Sequence, residues 1–296
     1  MCTRYDGVMR IWFNGQIMDE AEARVSPFDR GFLFGDGVYE GIRFFNRVGV
    51  GMDLHVSRLA KSLEGTGIGG FEATDLHEIC AALLEDGRLD DAMIYFQITR
   101  GVQIPRNHHP NPSMTPTVFA YATPAPALHE LDRPNVKTCI TTEDIRWRHC
   151  EIKCISLLAN ILGIGEARDR EYDESIFVRD GFVGEGAMTN VFVAIDGTLI
   201  TPTTNEDPPI LHGVTRTLLL EVAPHVVERV EVRRLSIEEL RNADEVMITS
   251  SRRLLDSVRL VDDQAIDAAP GPVAIALLAK LKVHLAETSD IALHSS

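Results

Sequence analysis

The chain runs to 296 residues, 45% hydrophobic and 25% charged, with 44 acidic against 29 basic side chains and a formal charge of −15. That balance is ordinary for a soluble globular protein with room for two domains, and it excludes disordered, collagen-like and coiled-coil classes. So acidic a chain repels phosphate backbones and anionic headgroups, which excludes nucleic acid and anionic membranes as main partners.

No stretch approaches the roughly 18 consecutive apolar residues of a membrane span, and the first residues lack the apolar core of a signal peptide. Five cysteines (Cys2, Cys80, Cys139, Cys150 and Cys154), an odd number in a long chain, read as reduced thiols of a cytoplasmic protein. Cys150 and Cys154 stand four apart with no second ligand pair, so no metal site is expected.

In chain order, residues 10–18 predict two short strands around an Asn14-Gly15 hairpin turn, and Val38–Phe45 predicts another strand. His55–Glu64 and Leu76–Leu84 carry helical spacing, and Ala92–Gly101 and Thr117–Thr123 are apolar and β-rich. Residues 123–134 hold three prolines without a period and read as an interdomain linker. The expected division is therefore a domain over 1–123, a linker over 124–134 and a second domain over 135–296. Beyond the linker come a strand near Lys137–Thr142, a helix from about Ser156 to Arg170, and strands at Glu174–Arg179, Asn190–Ile195 and Thr198–Thr201. Helices at Thr215–Val222, Ile237–Asn242 and Pro272–Leu285, with a short strand at Glu245–Thr249, complete the prediction. Strands and helices mix without strict βαβ alternation, which favours α+β domains.

Gly65-Thr-Gly67-Ile-Gly-Gly70 matches a dinucleotide-binding pattern but follows a helix instead of a strand, so these glycines are read as a helix cap. The stretch with chemical content contains Lys153, followed 32 residues later by Glu185 in Gly184-Glu-Gly-Ala-Met-Thr-Asn190. Glu185 is read here as sitting in a turn before a β-rich run. Leu211-His-Gly213-Val-Thr215-Arg216 opens an apolar helix, and Thr249-Ser250-Ser251 ends a strand. A helix N-terminus with glycine and hydroxyl groups suits a phosphate, as does a Ser/Thr turn. An amine nucleophile, a carboxylate and two phosphate cradles are together what pyridoxal 5′-phosphate (PLP) requires.

With these residues, and with Asp29-Arg-Gly-Phe-Leu-Phe-Gly-Asp-Gly-Val-Tyr-Glu40 and Ile94-Tyr-Phe-Gln-Ile-Thr-Arg-Gly101, the chain resembles the fold-type-IV PLP aminotransferases from about Ile11 to Leu281. It is most similar to the D-amino-acid aminotransferases and next to the branched-chain enzymes. The resemblance implies an α+β, two-domain protein whose larger C-terminal domain has a β-barrel-like core, working as a homodimer roofed by the partner subunit. It implies Lys153 as the residue that carries PLP as a Schiff base and moves the proton at the substrate Cα, and Glu185 as partner of the pyridine nitrogen. Arg58 would contact the phosphate with Val214, Thr215, Ser250 and Ser251, and Leu211 would lie against the ring. Arg106 and His108, in Ile104-Pro-Arg-Asn-His-His-Pro110, resemble the loop that traps the substrate carboxylate together with Tyr39. The expected reaction is ping-pong transfer from D-alanine or D-glutamate to pyruvate or 2-oxoglutarate.

Tyr39-Glu-Gly-Ile-Arg43 also resembles the branched-chain enzymes, in which Arg43 would help bind a side-chain carboxylate, although Gln97 stands where those enzymes carry a second arginine. Branched-chain L-amino acids, mixed or (R)-amine specificity and an aminodeoxychorismate lyase therefore stay as alternatives. Ser250-Ser-Arg252-Arg253-Leu departs from the family pattern and puts the phosphate side or the substrate mouth in question.

Overall fold

The computed structural model describes residues 9–289, and the chain divides into two compact units. The first runs to Ala127 and takes in Ile152–Ser156; the second holds Leu128–Glu151 and the chain from Leu157 onward. Lys153 thus belongs to the first unit, where a single division near residue 135 would put it in the second.

The first unit consists of β1 (Arg10–Phe13), β2 (Gln16–Asp19), α1 (Arg30–Phe34), β3 (Gly37–Phe45), β4 (Val48–Gly49), α2 (Met52–Thr66), α3 (Leu76–Gly87), β5 (Ala92–Thr99) and β6 (Thr117–Pro124). Its strands form one antiparallel sheet in the order β2-β1-β6-β5-β3-β4. Asn14 and Gly15, at φ 46° and 90°, make the tight β1–β2 turn that the Asn-Gly pair predicts. Alternation along β5 explains the layering. Ala92, Ile94, Phe96 and Ile98 are fully buried in the cluster that includes Leu59 and Leu63 of α2 and Ile79, Leu83 and Leu84 of α3. The intervening residues face the other way, where Tyr95 contacts Tyr39, Phe119 and Tyr121 at ring separations of 5.5–6.3 Å. Gly67, at φ 64°, ends α2 by donating to the Glu64 and Leu63 carbonyls, which is the capping role read from the sequence.

The second unit consists of β7 (Val136–Glu143), α4 (Leu158–Asp169), β8 (Glu174–Arg179), β9 (Phe182–Gly186), β10 (Asn190–Ile195), β11 (Thr198–Thr201), α5 (Val214–Val222), β12 (Arg229–Val232), β13 (Leu235–Ser236), α6 (Ile237–Arg241), β14 (Glu245–Ser250), β15 (Leu254–Val261), β16 (Gln264–Ala265) and α7 (Pro272–Ser289). The sheet runs β12-β11-β10-β14-β15-β7-β8-β9-β13, with β16 on β15. Laid flat, those nine strands would span roughly 38 Å. Yet the end strands β12 and β13 are joined only by Arg233 and Arg234, a tether that reaches about 11 Å at most. The sheet must therefore curl until its ends nearly meet, which is the barrel-like core, filled by Val191, Val193, Ile200, Leu235, Val246, Ile248 and Val258 among others.

Seven elements have no counterpart in the prediction: α1, β4, β9, β12, β13, β15 and β16. β15 is a full strand between β7 and β14, concealed in the sequence because Asp256 and Ser257 interrupt its apolar run although both are buried. Glu185 lies on β9 and not in a turn; the flanking Gly184 and Gly186 hide the strand pattern.

Candidate active site

In the first unit, the short segment containing Lys153 is laid alongside the start of β3. Tyr39 donates its backbone N–H to the Lys153 carbonyl (3.0 Å), Ile155 donates to the Gly37 carbonyl (3.0 Å), and the Lys153 N–H is bound by Ser62 Oγ (3.1 Å). The backbone is thus fixed on both sides while the side chain stays half-buried. Its Nζ stands 4.2 Å from the centroid of the Tyr39 ring and makes no ion pair among the described residues. An amine without a carboxylate partner is available as a nucleophile once deprotonated.

One residue further along β3, Glu40 is fully buried on the helix side of the sheet. It accepts from Arg58 Nε at 2.9 Å and Nη2 at 2.6 Å, and bonds His55 Nδ1 at 2.6 Å. Burial pushes the Glu40 carboxyl upward, but the charge of Arg58 and the contact with His55 outweigh it and bring the pKa down to about 2. Burial acts the opposite way on the His55 imidazole and holds its pKa below the usual value despite Glu40. His55 and Arg58 share one face of α2 by their i,i+3 spacing, so a single carboxylate orients both.

In the second unit, Glu185 is 5% exposed and surrounded by donors. Arg146 Nη1 reaches Oε1 at 2.5 Å, Asn190 Nδ2 reaches Oε2 at 3.0 Å, and the Leu211 N–H donates to both oxygens at 3.1 and 3.0 Å. Asp144 grips the back of Arg146 at 2.9 and 3.0 Å, and the Phe177 ring lies 4.6 Å from its guanidinium carbon. A carboxylate held in this way is fixed in position, as a partner for a protonated ring nitrogen must be.

Next to this network, α5 begins at Gly213 with no side-chain cap, leaving its first-turn N–H groups to bind an anion. A Cβ on residue 213 would collide with Asn190 Oδ1, so the approach of Asn190 requires glycine there. Thr215 Oγ1 and Thr249 Oγ1 are buried and have no hydrogen-bond partner among the described residues. A buried orphan hydroxyl is costly unless a ligand satisfies it. These two fit a phosphate group. Ser250 and Ser251, expected to fill this part, are only half-buried; Thr249 sits deeper.

The remaining expected residues separate. Arg106 and His108 are exposed on the loop after β5 but meet on one ring: the Arg106 guanidinium is 4.3 Å and the His108 ring 5.4 Å from the centroid of Phe34. Arg43 is 1% exposed; its guanidinium donates to the Pro126 carbonyl and lies 4.4 Å from the centroid of Phe45. The side chain expected at the substrate is thus buried here against Pro126 and Phe45. The residues not foreseen are Glu40, His55, Asp144, Arg146 and Asn190, while Thr249 is read from the sequence only as part of the Ser/Thr turn. A trace existed for Arg146, because the Asp144-Ile-Arg146 alternation puts acid and base on one side of an extended chain.

The class IV amino-transferase family model matches residues 37–261. A D-alanine aminotransferase of Bacillus licheniformis is 37% identical over 268 residues, 90% of this chain and 93% of that protein. A D-alanine aminotransferase of Staphylococcus haemolyticus is 34% identical, covering 89% and 93% respectively. Among solved structures, the branched-chain amino acid aminotransferase of Escherichia coli superposes with a TM-score of 0.82 at 25% identity over 92% of both chains. Among the described residues no helix is long and apolar enough to cross a membrane. On these matches the chain belongs to the class IV aminotransferases and is a PLP-dependent transaminase.

Proposed function

We propose that the protein transfers the amino group of a D-amino acid, of the alanine or glutamate type, to a 2-oxo acid such as pyruvate or 2-oxoglutarate, in alternating half-reactions. The observation that carries this reading is the pairing of Arg106 and His108 on Phe34. It sets a guanidinium and an imidazole side by side for a carboxylate. The relatives named D-alanine aminotransferase, at 31–37% identity, support it.

PLP, when bound, supplies a protonated ring that stabilises the negative charge left on the substrate Cα. Lys153 would hold it through its amine, and the same amine, once displaced by that of the substrate, would take the proton from Cα and pass it to the cofactor's C4′ carbon. Thr215 and Thr249 hydroxyls, the Val214 and Thr215 N–H groups and the nearby Ser250 and Ser251 would hold the phosphate. Arg58, anchored by Glu40, adds positive charge. Glu185, steadied by Arg146 and Asn190, would keep the pyridine nitrogen protonated, with Leu211 against the ring. Tyr39, Arg106 and His108 would orient the carboxylate, and that orientation selects which Cα–H bond lies perpendicular to the ring. The loop bearing Arg106 would serve a second copy of the chain in a homodimer. Four free cysteines among the described residues suit a reducing, cytoplasmic location.

The test is the visible absorption of the PLP-loaded protein titrated separately with D-alanine, D-glutamate and L-leucine. Bleaching by the D-acids alone is the expected result. Bleaching by L-leucine alone would move the protein to the branched-chain group and leave Arg106 as a surface residue.

A further inference from the structure

The loop with Arg106 and His108 is irregular and exposed, yet its backbone is clamped from beneath by α1. Arg30 is 5% exposed, and each of its guanidinium nitrogens has an assigned partner. Nε donates to Asp36 Oδ2 at 2.7 Å, Nη1 donates to the Asn107 carbonyl at 2.5 Å and to Gln103 Oε1 at 3.4 Å, and Nη2 donates to the His108 carbonyl at 3.0 Å. Its carbon lies 4.7 Å from the Phe34 ring centroid, one helical turn on, and that is the ring under both Arg106 and His108.

The clamp is itself anchored. Arg100 donates to both Asp36 oxygens, at 2.8 and 3.0 Å, and to the Thr66 and Gly67 carbonyls at the end of α2, each at 2.6 Å. Burial pushes the Asp36 carboxyl upward, but the donors Arg100 and Arg30 outweigh it and hold it below the usual range, so it stays ionised. Asp29, which caps α1 by accepting from the Gly31 N–H at 2.8 Å, is tied to Thr99 at 3.0 Å and Thr117 at 2.7 Å on the strands either side of the loop. A five-residue helix is thereby fixed at its N-terminus, at Arg30 and at Phe34, although it is too short to hold itself.

We infer that α1 is the mount of the carboxylate-recognition loop, with Arg30 as the positioning residue for its backbone and Phe34 as the platform for its side chains, so that α1 sets substrate affinity without touching substrate. This rests on the proposed role of Arg106 and His108. The geometry is specific to arginine. One planar fork reaches a carboxylate and two successive carbonyls at once, which a lysine ammonium cannot do. Because recognition depends on where the Arg106 and His108 side chains stand, a loop shift that loses one of their charged hydrogen bonds weakens carboxylate binding by about ten- to a hundredfold.

The experiment compares PLP-loaded wild type with Arg30→Gln, Arg30→Lys, Phe34→Leu and Arg106→Ala. Initial rates are measured with D-alanine, and single half-reactions with D-alaninol, which has the amine but no carboxylate. The Arg30 and Phe34 variants are expected to raise KM for D-alanine about tenfold or more, with kcat within about threefold and the D-alaninol half-reaction unchanged. Hydrogen exchange over residues 103–109 should quicken in the Arg30 variants while β5 stays protected. Arg30→Lys keeps the charge beside Asp36 and serves should Arg30→Gln fail to fold. Equal losses with D-alanine and D-alaninol would reduce α1 to a structural part and overturn the inference. Wild-type KM in the Arg30 variants, with a raised KM in Arg106→Ala, would overturn it while sparing the carboxylate-trap reading. An unchanged KM in Arg106→Ala would overturn both.

Discussion

Lys153 contributes its backbone to the fold and its side chain to the chemistry, and the two can be separated by mutation. The bonds from its N–H to Ser62 and from its carbonyl to Tyr39 survive truncation of the side chain. Lys153→Ala should therefore fold with a melting temperature close to wild type and lose transamination by on the order of 10³-fold or more, as steady-state rates and thermal unfolding would check. Two buried carboxyls give opposite pH signatures. Glu40 is lowered from the usual 4.5 to about 2, so its stabilisation is full above 4.5 and disappears as pH falls towards 2. Glu174 is raised from 4.5 to about 7, chiefly by burial, against donors at Ser175 and Thr189. The folded state prefers it protonated, so its contribution is full below pH 4.5 and is lost as pH rises through 7. Glu174→Gln should remove that loss and raise stability above pH 7 by on the order of 1–3 kcal/mol relative to wild type, measured by urea unfolding at pH 5 and pH 8.

At the scale of elements, the start of α5 is built for a ligand at some cost to the empty protein. The buried Thr215 hydroxyl has no partner among the described residues. Thr215→Val should leave the PLP-free protein as stable as wild type or slightly more so, and weaken PLP binding about ten- to a hundredfold, the value of a hydrogen bond to a charged group. Unfolding of the PLP-free protein and equilibrium dialysis of PLP would report the opposite signs. Gly213→Ala acts through geometry: its methyl group would displace Asn190 and so disturb a donor to Glu185. Both PLP affinity and stability should fall together in that variant. The α5 motif was legible in Leu211–Arg216, because glycine and a hydroxyl at a helix start have few other uses. The Arg146–Glu185 pair was not, since the two come from separate stretches and only the pairing of β7, β8 and β9 brings them together.

At the scale of the whole molecule, apolar surface left in the open points to self-association. On α4, Leu158, Ile161 and Leu162 are 69%, 63% and 56% exposed, and on α1 Phe32 is 75% exposed. Clusters of large apolar side chains in water mark interaction sites. Sedimentation at micromolar concentration should show a dimer or larger species, and Ile161→Glu with Leu162→Glu should shift it towards monomer with loss of activity. The charge of −15 disfavours non-specific aggregation in that measurement, since copies repel unless a specific face offsets it.

Much of this protein is determined locally by its sequence. The strand alternation of β5, the Asn14-Gly15 turn and the helix starts each depend on neighbours within a few residues, and the ordered motifs around Lys153, Glu185 and Leu211–Arg216 carry the family resemblance that implies fold and cofactor. Tertiary structure decided what depends on burial. Arg43 and Arg58 look alike in the chain, yet one is spent on the Pro126 carbonyl and the other is paired to Glu40. Of the hydroxyls in the two phosphate motifs, only packing makes those of Thr215 and Thr249 the orphans. Residues 152–156 join the first unit because Ile155 and Tyr39 find backbone partners across more than a hundred positions of chain. Partners that distant are chosen by the three-dimensional fit of sheets and helices, which no short window of sequence contains.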